Sequence, residues 1–185
     1  MALSNADHGG RFYEVGDRIT EDINPKIEHT DKKEKTVVMN VGLPCTGKST
    51  LSKKKGYSIL SRDDIIMQLA LEQGIAKYNK AFDAVDPKEV DRIFQKRTND
   101  YIKEGSNVLI DMTNMSRKAR KKRLRPFKDY YKVAHVYMTS LLNIAERNKL
   151  REGKIIPDHV IEKMCKSFYP PLYDEFDEIV WKFNE

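Results

Sequence analysis

Gly42-Leu43-Pro44-Cys45-Thr46-Gly47-Lys48-Ser49 sets two glycines, a lysine and a hydroxyl at the spacing of a phosphate-binding loop. Glycine lets the backbone curl so that successive N–H groups converge on an anion, and the positive end of a following helix strengthens that field. At this spacing Lys48 can reach the β- and γ-phosphates of a nucleotide, and the Ser49 hydroxyl can ligate Mg²⁺. Residues Gly42, Cys45, Thr46, Gly47, Lys48, Ser49 and Thr50 therefore form a candidate ATP·Mg²⁺ site. Cys45 reads as a small residue that contributes its backbone N–H more than its thiol. The pattern is the complete Walker A motif, and its context supports it: a β-rich run, Thr36–Val41, precedes it and a helix opens near Gly47.

Ser61-Arg62-Asp63-Asp64 follows the next candidate strand, Tyr57–Leu60. A carboxylate there faces the same crevice and can take the proton of an acceptor hydroxyl as it attacks in line. Aspartate is equally a favoured helix N-cap, so one of the pair can cap while the other does chemistry. Asp111 ends the strand Asn107–Ile110, in the place of a Walker B carboxylate, where it can hold the metal through water or orient the acceptor. Thr113 and Asn114 either cap the next helix or line the acceptor groove. Arg147 and Arg151, four apart on a predicted helix, share a face. With Gly153-Lys154-Ile155-Ile156-Pro157 behind them, they suit a lid that neutralises phosphate charge, or an ordinary basic surface helix.

These groups need a scaffold that brings strand ends together. Strands are expected at 36–41, 57–60, 107–111, 133–138 and 179–181, and helices at 63–72, 86–105, 116–129, 141–151 and 157–168. Asp86, Pro87 and Glu89 carry the N-cap, first-turn proline and capping-box signals, and Gly105 the stop. Strands alternating with helices imply an α/β fold with a central parallel sheet covered on both faces, and ligands sit at the carboxyl ends of such strands. Residues 73–85 read as a loop near the acceptor. Residues 1–35 are polar and weakly periodic, an N-terminal arm outside a domain expected at 36–185.

At 185 residues the chain suits one such domain. It lacks the apolar runs of a membrane span or signal peptide, and its two cysteines, Cys45 and Cys165, fit a reducing, cytoplasmic setting. The net charge of +6 favours polyanionic partners. Arg117–Lys128 holds eight basic residues in twelve. That segment is either an electrostatic footprint for nucleic acid or a solvated face balanced by Asp174, Glu175, Asp177 and Glu178.

Together these pieces resemble the polynucleotide 5′-kinase family, that is, the kinase domain of bacteriophage polynucleotide kinase and its eukaryotic counterparts. The likeness runs from about Thr36 to Trp181, through GLPCTGKST at 42–50, SRDD at 61–64, DMTN at 111–114, RNKLREGKIIP at 147–157, FYPP at 168–171 and FDEIV at 176–180. It implies a three-layer P-loop kinase fold with a helical lid, using ATP and Mg²⁺ to phosphorylate the 5′-hydroxyl of DNA or RNA. It implies roles for Lys48 and Ser49 on phosphate and metal, and for Asp63 as general base. Arg151 would be the essential lid arginine with Arg147 beside it, and Arg62, Asp111 and Asn114 would lie on the acceptor side.

One departure concerns the acceptor. The phage enzyme has an arginine three residues after its base, which engages the acceptor's phosphate, and here that residue is Ile66. No DxDGT signature is present, so a kinase without the phage enzyme's phosphatase domain is expected. Two other functions compete: a kinase for a nucleoside, small alcohol or hydroxymethylated base in DNA, and a nucleotide-binding module without turnover. Asn79-Lys80-Ala81-Phe82 lacks the aspartate of the guanine-reading Asn-Lys-x-Asp signature, which argues against a GTPase switch.

Overall fold

The computed structural model describes residues 35–49, 56–151, 153 and 155–184. The expected N-terminal arm, apart from Lys35, and Thr50 lie outside the described residues.

Five strands form one all-parallel sheet: β1 (Thr36–Val41), β2 (Ser58–Leu60), β3 (Val108–Ile110), β4 (Tyr131–Met138) and β5 (Glu178–Phe183). Their order across the sheet is β2-β3-β1-β4-β5. The register pairs Val37 with Val108 and with Lys132, and runs to Met39 opposite Ile110 and Val41 opposite Val136. β1 is the middle strand, so both of its faces are covered. Val37, Met39 and Val41 join a core with Leu60, Ile110 and Phe127, against which Phe94, Tyr101 and Ile102 pack. Val38 meets Leu109 and Val133 in a separate cluster. Alternate residues of one apolar strand thus face two different cores, as expected of a parallel sheet.

The helices that lie wholly among the described residues are α1 (Arg62–Glu72), α2 (Tyr78–Ala84), α3 (Pro87–Glu104), α4 (Arg117–Leu124), α5 (Leu141–Lys149) and α6 (Asp158–Lys166). Asp86 caps α3 by accepting from the Lys88 N–H, with Pro87 in the first turn and Gly105 ending the helix at φ 68°. The Glu89 carboxylate accepts from Arg92 at 2.6 and 2.8 Å. The basic helix is shorter than expected, because Pro126 cannot donate to a helical ladder and the turn is finished by Phe127 N–H on the Leu124 carbonyl. α2 lies where the sequence reading places a loop. Its seven residues are held by packing of Ala81 and Val85 on Ile65, Ile66 and Ala70 of α1, a tertiary contact rather than a local signal. No helix among the described residues is long and apolar enough to cross a membrane.

The carboxyl ends of β1, β2 and β3 bring the loops 42–49, 61–64 and 111–116 to one edge, beside the segment that follows β4. The order places β1 between β3 and β4, where the chain switches direction across the sheet, the usual place for a ligand crevice in such folds.

Candidate active site

β1 delivers Gly42, whose N–H donates to the Thr113 carbonyl at 3.0 Å and ties the phosphate loop to the exit of β3. Gly42 has φ +148°, and a Cβ there would stand 2.5 Å from the Tyr137 carbonyl, so no larger residue fits. Gly47 has φ +87°, with the Asn184 amide 3.0 Å from where its Cβ would be. That same amide donates to the Thr46 carbonyl at 2.6 Å, so the residue after β5 holds the loop from the far side. A helical turn opens at Lys48 and Ser49, with Ser49 exposed.

Lys48 is buried, and its ammonium donates to the carbonyls of Gly42 (2.8 Å) and Leu43 and approaches the Thr46 hydroxyl at 3.4 Å. Burial pushes its pKa down to about 8; Asp111, Cys45 and Asp63 act against that fall and Arg151 adds to it. A loop whose first glycine admits no side chain, a buried lysine turned into it and a helical turn opening behind it together fit a nucleotide phosphate chain. The pH consequence follows from the sign of the shift. A bound anion favours the charged lysine, so the complex has the higher pKa and binding takes up a proton above pH 8. Nucleotide affinity should be flat below pH 8 and fall by up to about tenfold per pH unit above it. Calorimetry in buffers of different ionisation enthalpy at pH 7 and pH 9 measures both the affinity and the proton uptake. Lys48→Met should remove the dependence.

Cys45 stands in the left-handed region at φ +65°, an unfavourable place for a residue with a Cβ. Its carbonyl accepts from Arg147 at 3.3 Å, and the Arg151 guanidinium lies 3.7 Å from its sulfur. The thiol is therefore in contact with Arg151, which the sequence alone does not reveal. Cys45→Gly should raise stability by about 0.5 kcal/mol as backbone strain is relieved against the greater freedom of unfolded glycine. Thermal unfolding reads this, and a lower Tm would mean that the thiol's contact outweighs the strain.

The helix after β2 is capped by neither aspartate. Ser61 caps it, accepting from the Asp64 N–H at 3.2 Å, which leaves both carboxylates exposed at the crevice. Asp63 accepts a hydrogen bond of 2.7 Å from the Tyr78 hydroxyl in the first turn of α2. Burial raises the Tyr78 pKa, and the bond to Asp63 raises it further, so the phenol remains the donor. Arg62 turns away from the crevice and pairs with Asp91 of α3. Asp111 accepts from the Asn40 amide at 3.0 Å and lies within electrostatic reach of Lys48.

Asn114 does not cap α4; Ser116 does. Asn114 is buried at φ +47°, and its amide donates to the Asn40 carbonyl at 2.7 Å. The structure thus gathers Lys48, Asp63, Asp111, Arg147 and Arg151 around one crevice, and sets Arg62 and Asn114 into contacts with the protein itself.

Tyr78, Asn184 and Asn148 take their places only through tertiary contacts. Asn148 is buried between the two arginines in sequence; it donates to the Ile156 carbonyl at 2.7 Å and accepts from the Ile156 N–H at 3.0 Å. This two-bond pin closes the loop that carries Arg151. A legible signal existed only for Asn40, a polar residue inside an otherwise apolar strand.

The basic segment divides. Arg120 is fully buried and forms a fork-to-fork pair with Glu175, at 3.1 and 2.9 Å. It also donates to the carbonyls of Asn114, Met115, Tyr169 and Pro170 at 2.7 to 3.2 Å. Arg117 and Lys121 pair with Asp174. Lys118, Lys122, Arg125 and Lys128 remain exposed. Three of the eight thus balance the acidic C-terminal segment, and four keep a positive surface.

A family model described as AAA domain matches residues 37–171. A protein of Autographa californica nuclear polyhedrosis virus named as a bifunctional polynucleotide kinase/RNA ligase is 27% identical over 179 residues, covering 85% of this chain and 26% of its own. This chain therefore spans about a quarter of that relative's length. Among solved structures, a chain of the Pnkp1/Rnl/Hen1 RNA repair complex superposes with a TM-score of 0.59 at 21% identity, over 75% of this chain and 45% of that one. A gluconokinase from Sinorhizobium meliloti superposes with a TM-score of 0.53 at 14% identity, over 82% and 84%. At such identities the structural likeness speaks for the fold. The chain belongs to the AAA domain family of P-loop proteins, and its fold and motifs are those of a P-loop kinase related to the polynucleotide kinases.

Proposed function

We propose that the chain transfers the γ-phosphoryl group of ATP to the 5′-hydroxyl end of DNA or RNA. The observation that carries this reading is the convergence on one crevice of Lys48, buried within the phosphate loop, Arg151, set against Cys45 of that loop, and Asp63, which follows the end of β2. The viral relative's name supports a polynucleotide acceptor. Lys48 holds the outer phosphates, and Arg151, next to Cys45 of the loop, neutralises charge that grows on the transferring group. Asp63 takes the acceptor's proton as its oxygen attacks phosphorus and the bond to the leaving diphosphate breaks. Mg²⁺, when bound with Ser49 as a protein ligand, supplies further charge neutralisation. The space of about 330 Å³ between Met138, Ser140, Asn143 and Asn184, next to the loop, suits the donor's nucleoside.

Label transfer from γ-labelled ATP to 5′-hydroxyl DNA and RNA oligonucleotides, nucleosides and sugar acids tests the reading. Strong labelling of oligonucleotide ends is expected, and none across both nucleic acids would reject it. A small-alcohol acceptor is the second reading. It is favoured by Ile66, which is 7% exposed inside the α1–α2 core and so offers an acceptor phosphate no cation. Salt separates the two, since acceptor KM should rise steeply with ionic strength only for a polynucleotide.

A further inference from the structure

The residue where the phage kinase has its phosphate-binding arginine has another use in this chain. Ile66 packs with Ile65, Ala70, Ala81 and Val85, and this apolar contact seats α2 on α1. Once seated, α2 begins with Tyr78, whose hydroxyl donates to Asp63 Oδ2 at 2.7 Å and so holds the carboxylate by one oxygen. One helical turn later Phe82 lies against the Tyr78 ring, with centroids 4.7 Å apart and the planes tilted by 52°. Phe82 is 41% exposed although aromatic, in a helix whose Ala81 and Val85 are buried. An exposed ring packed on the tyrosine that holds a carboxylate which must meet a hydroxyl is an arrangement that can stack a flat, apolar group attached to that hydroxyl's carbon skeleton. Every nucleobase offers a π face of this kind, whereas a sugar acid offers none.

We propose that α2 is the acceptor-recognition element, with Phe82 and the Tyr78 ring stacking the base of the nucleotide that bears the reacting hydroxyl, and the Tyr78 hydroxyl positioning Asp63. This rests on the reading of the crevice as a 5′-kinase site and adds what the acceptor must carry there: a base at the reacting end, rather than a phosphate met by an arginine. Tyr78 is a positioning residue, acting on the reaction through Asp63.

Steady-state transfer to two 5′-hydroxyl oligonucleotides tests this, one intact and one abasic at its 5′-terminal residue, with sugar acids in parallel. The wild-type protein should show an acceptor KM about tenfold lower for the intact end, the scale expected of one stacked base. Phe82→Ala should raise the KM of the intact end towards that of the abasic end. Tyr78→Phe, which keeps the ring and removes the hydroxyl, should lower kcat about tenfold on both acceptors while the KM difference persists. Tyr78→Leu should lose both. A general loss of structure would not separate kcat from KM in this way. Equal KM values for the two ends in the wild-type protein, or full turnover by Tyr78→Phe, would overturn the inference and leave the 5′-kinase reading standing. Transfer to sugar acids alone would overturn both.

Discussion

Replacing Asp63 by Asn should lower kcat for phosphoryl transfer about 10²- to 10⁴-fold, the usual contribution of a positioned general base. Asparagine is the informative replacement. It keeps the volume and an oxygen able to accept from Tyr78, so the 2.7 Å contact can survive while the proton acceptor is lost. The carboxylate stands exposed at the end of β2, and Lys48 feels its charge, so it is placed to meet both an incoming hydroxyl and the phosphate end of the crevice. Single-turnover transfer from labelled ATP isolates the chemical step from product release. A variant that retains more than a tenth of the wild-type rate would show that Asp63 is not the base, and Asp111 would be the next carboxylate to test.

Arg120→Met should destabilise the fold by about 3–5 kcal/mol, the cost of leaving a buried carboxylate without its partner. Here the partner is Glu175, whose side chain is completely buried, and the loss extends to four backbone carbonyls that Arg120 also serves. Arg120→Lys should recover little, because an ammonium cannot reproduce a planar fork that reaches the carboxylate and the carbonyls together. Removing both charges with Arg120→Met and Glu175→Leu should be milder than the single change, since no ion is then left buried. Denaturant unfolding reads all three variants. By contrast, exchanging the exposed Lys118 or Lys122 for Ala should move stability by less than about 0.5 kcal/mol. If nucleic acid lies across this helix, those two changes should flatten the salt dependence of acceptor KM.

Arg120 and Lys122 show where sequence reading stops. Both belong to the same basic run, and nothing in their spacing says that one is wholly buried on a glutamate fifty-five residues away while the other faces solvent. Pairing across that separation is decided by how the 169–176 segment folds back on α4. The same holds for Arg147 and Arg151. Their spacing suggests one helix face, but α5 ends at Lys149, so Arg147 reaches Cys45 from the helix and Arg151 from the loop that Asn148 pins to Ile156, a contact between groups that carry no motif. α2 leaves no local signal, because Lys77 at its N-cap makes no side-chain cap bond and its seven residues take their order from the apolar face of α1.

What the sequence determined by itself is everything encoded by local chemistry. The phosphate loop is a run of adjacent residues whose backbone must curl in one way, and glycine positions state that directly. The alternation of β-rich runs and capped helices implies the parallel sheet, because a short continuous apolar run and a helical period of about 3.6 residues are properties of the chain. The tertiary structure decided which oxygen of Asp63 is held, which arginine is buried, and that Asn114 supports the strand end from inside. Those outcomes depend on desolvation and on partners distant along the chain, and a charge or an amide acquires its role only from what surrounds it once water has been excluded.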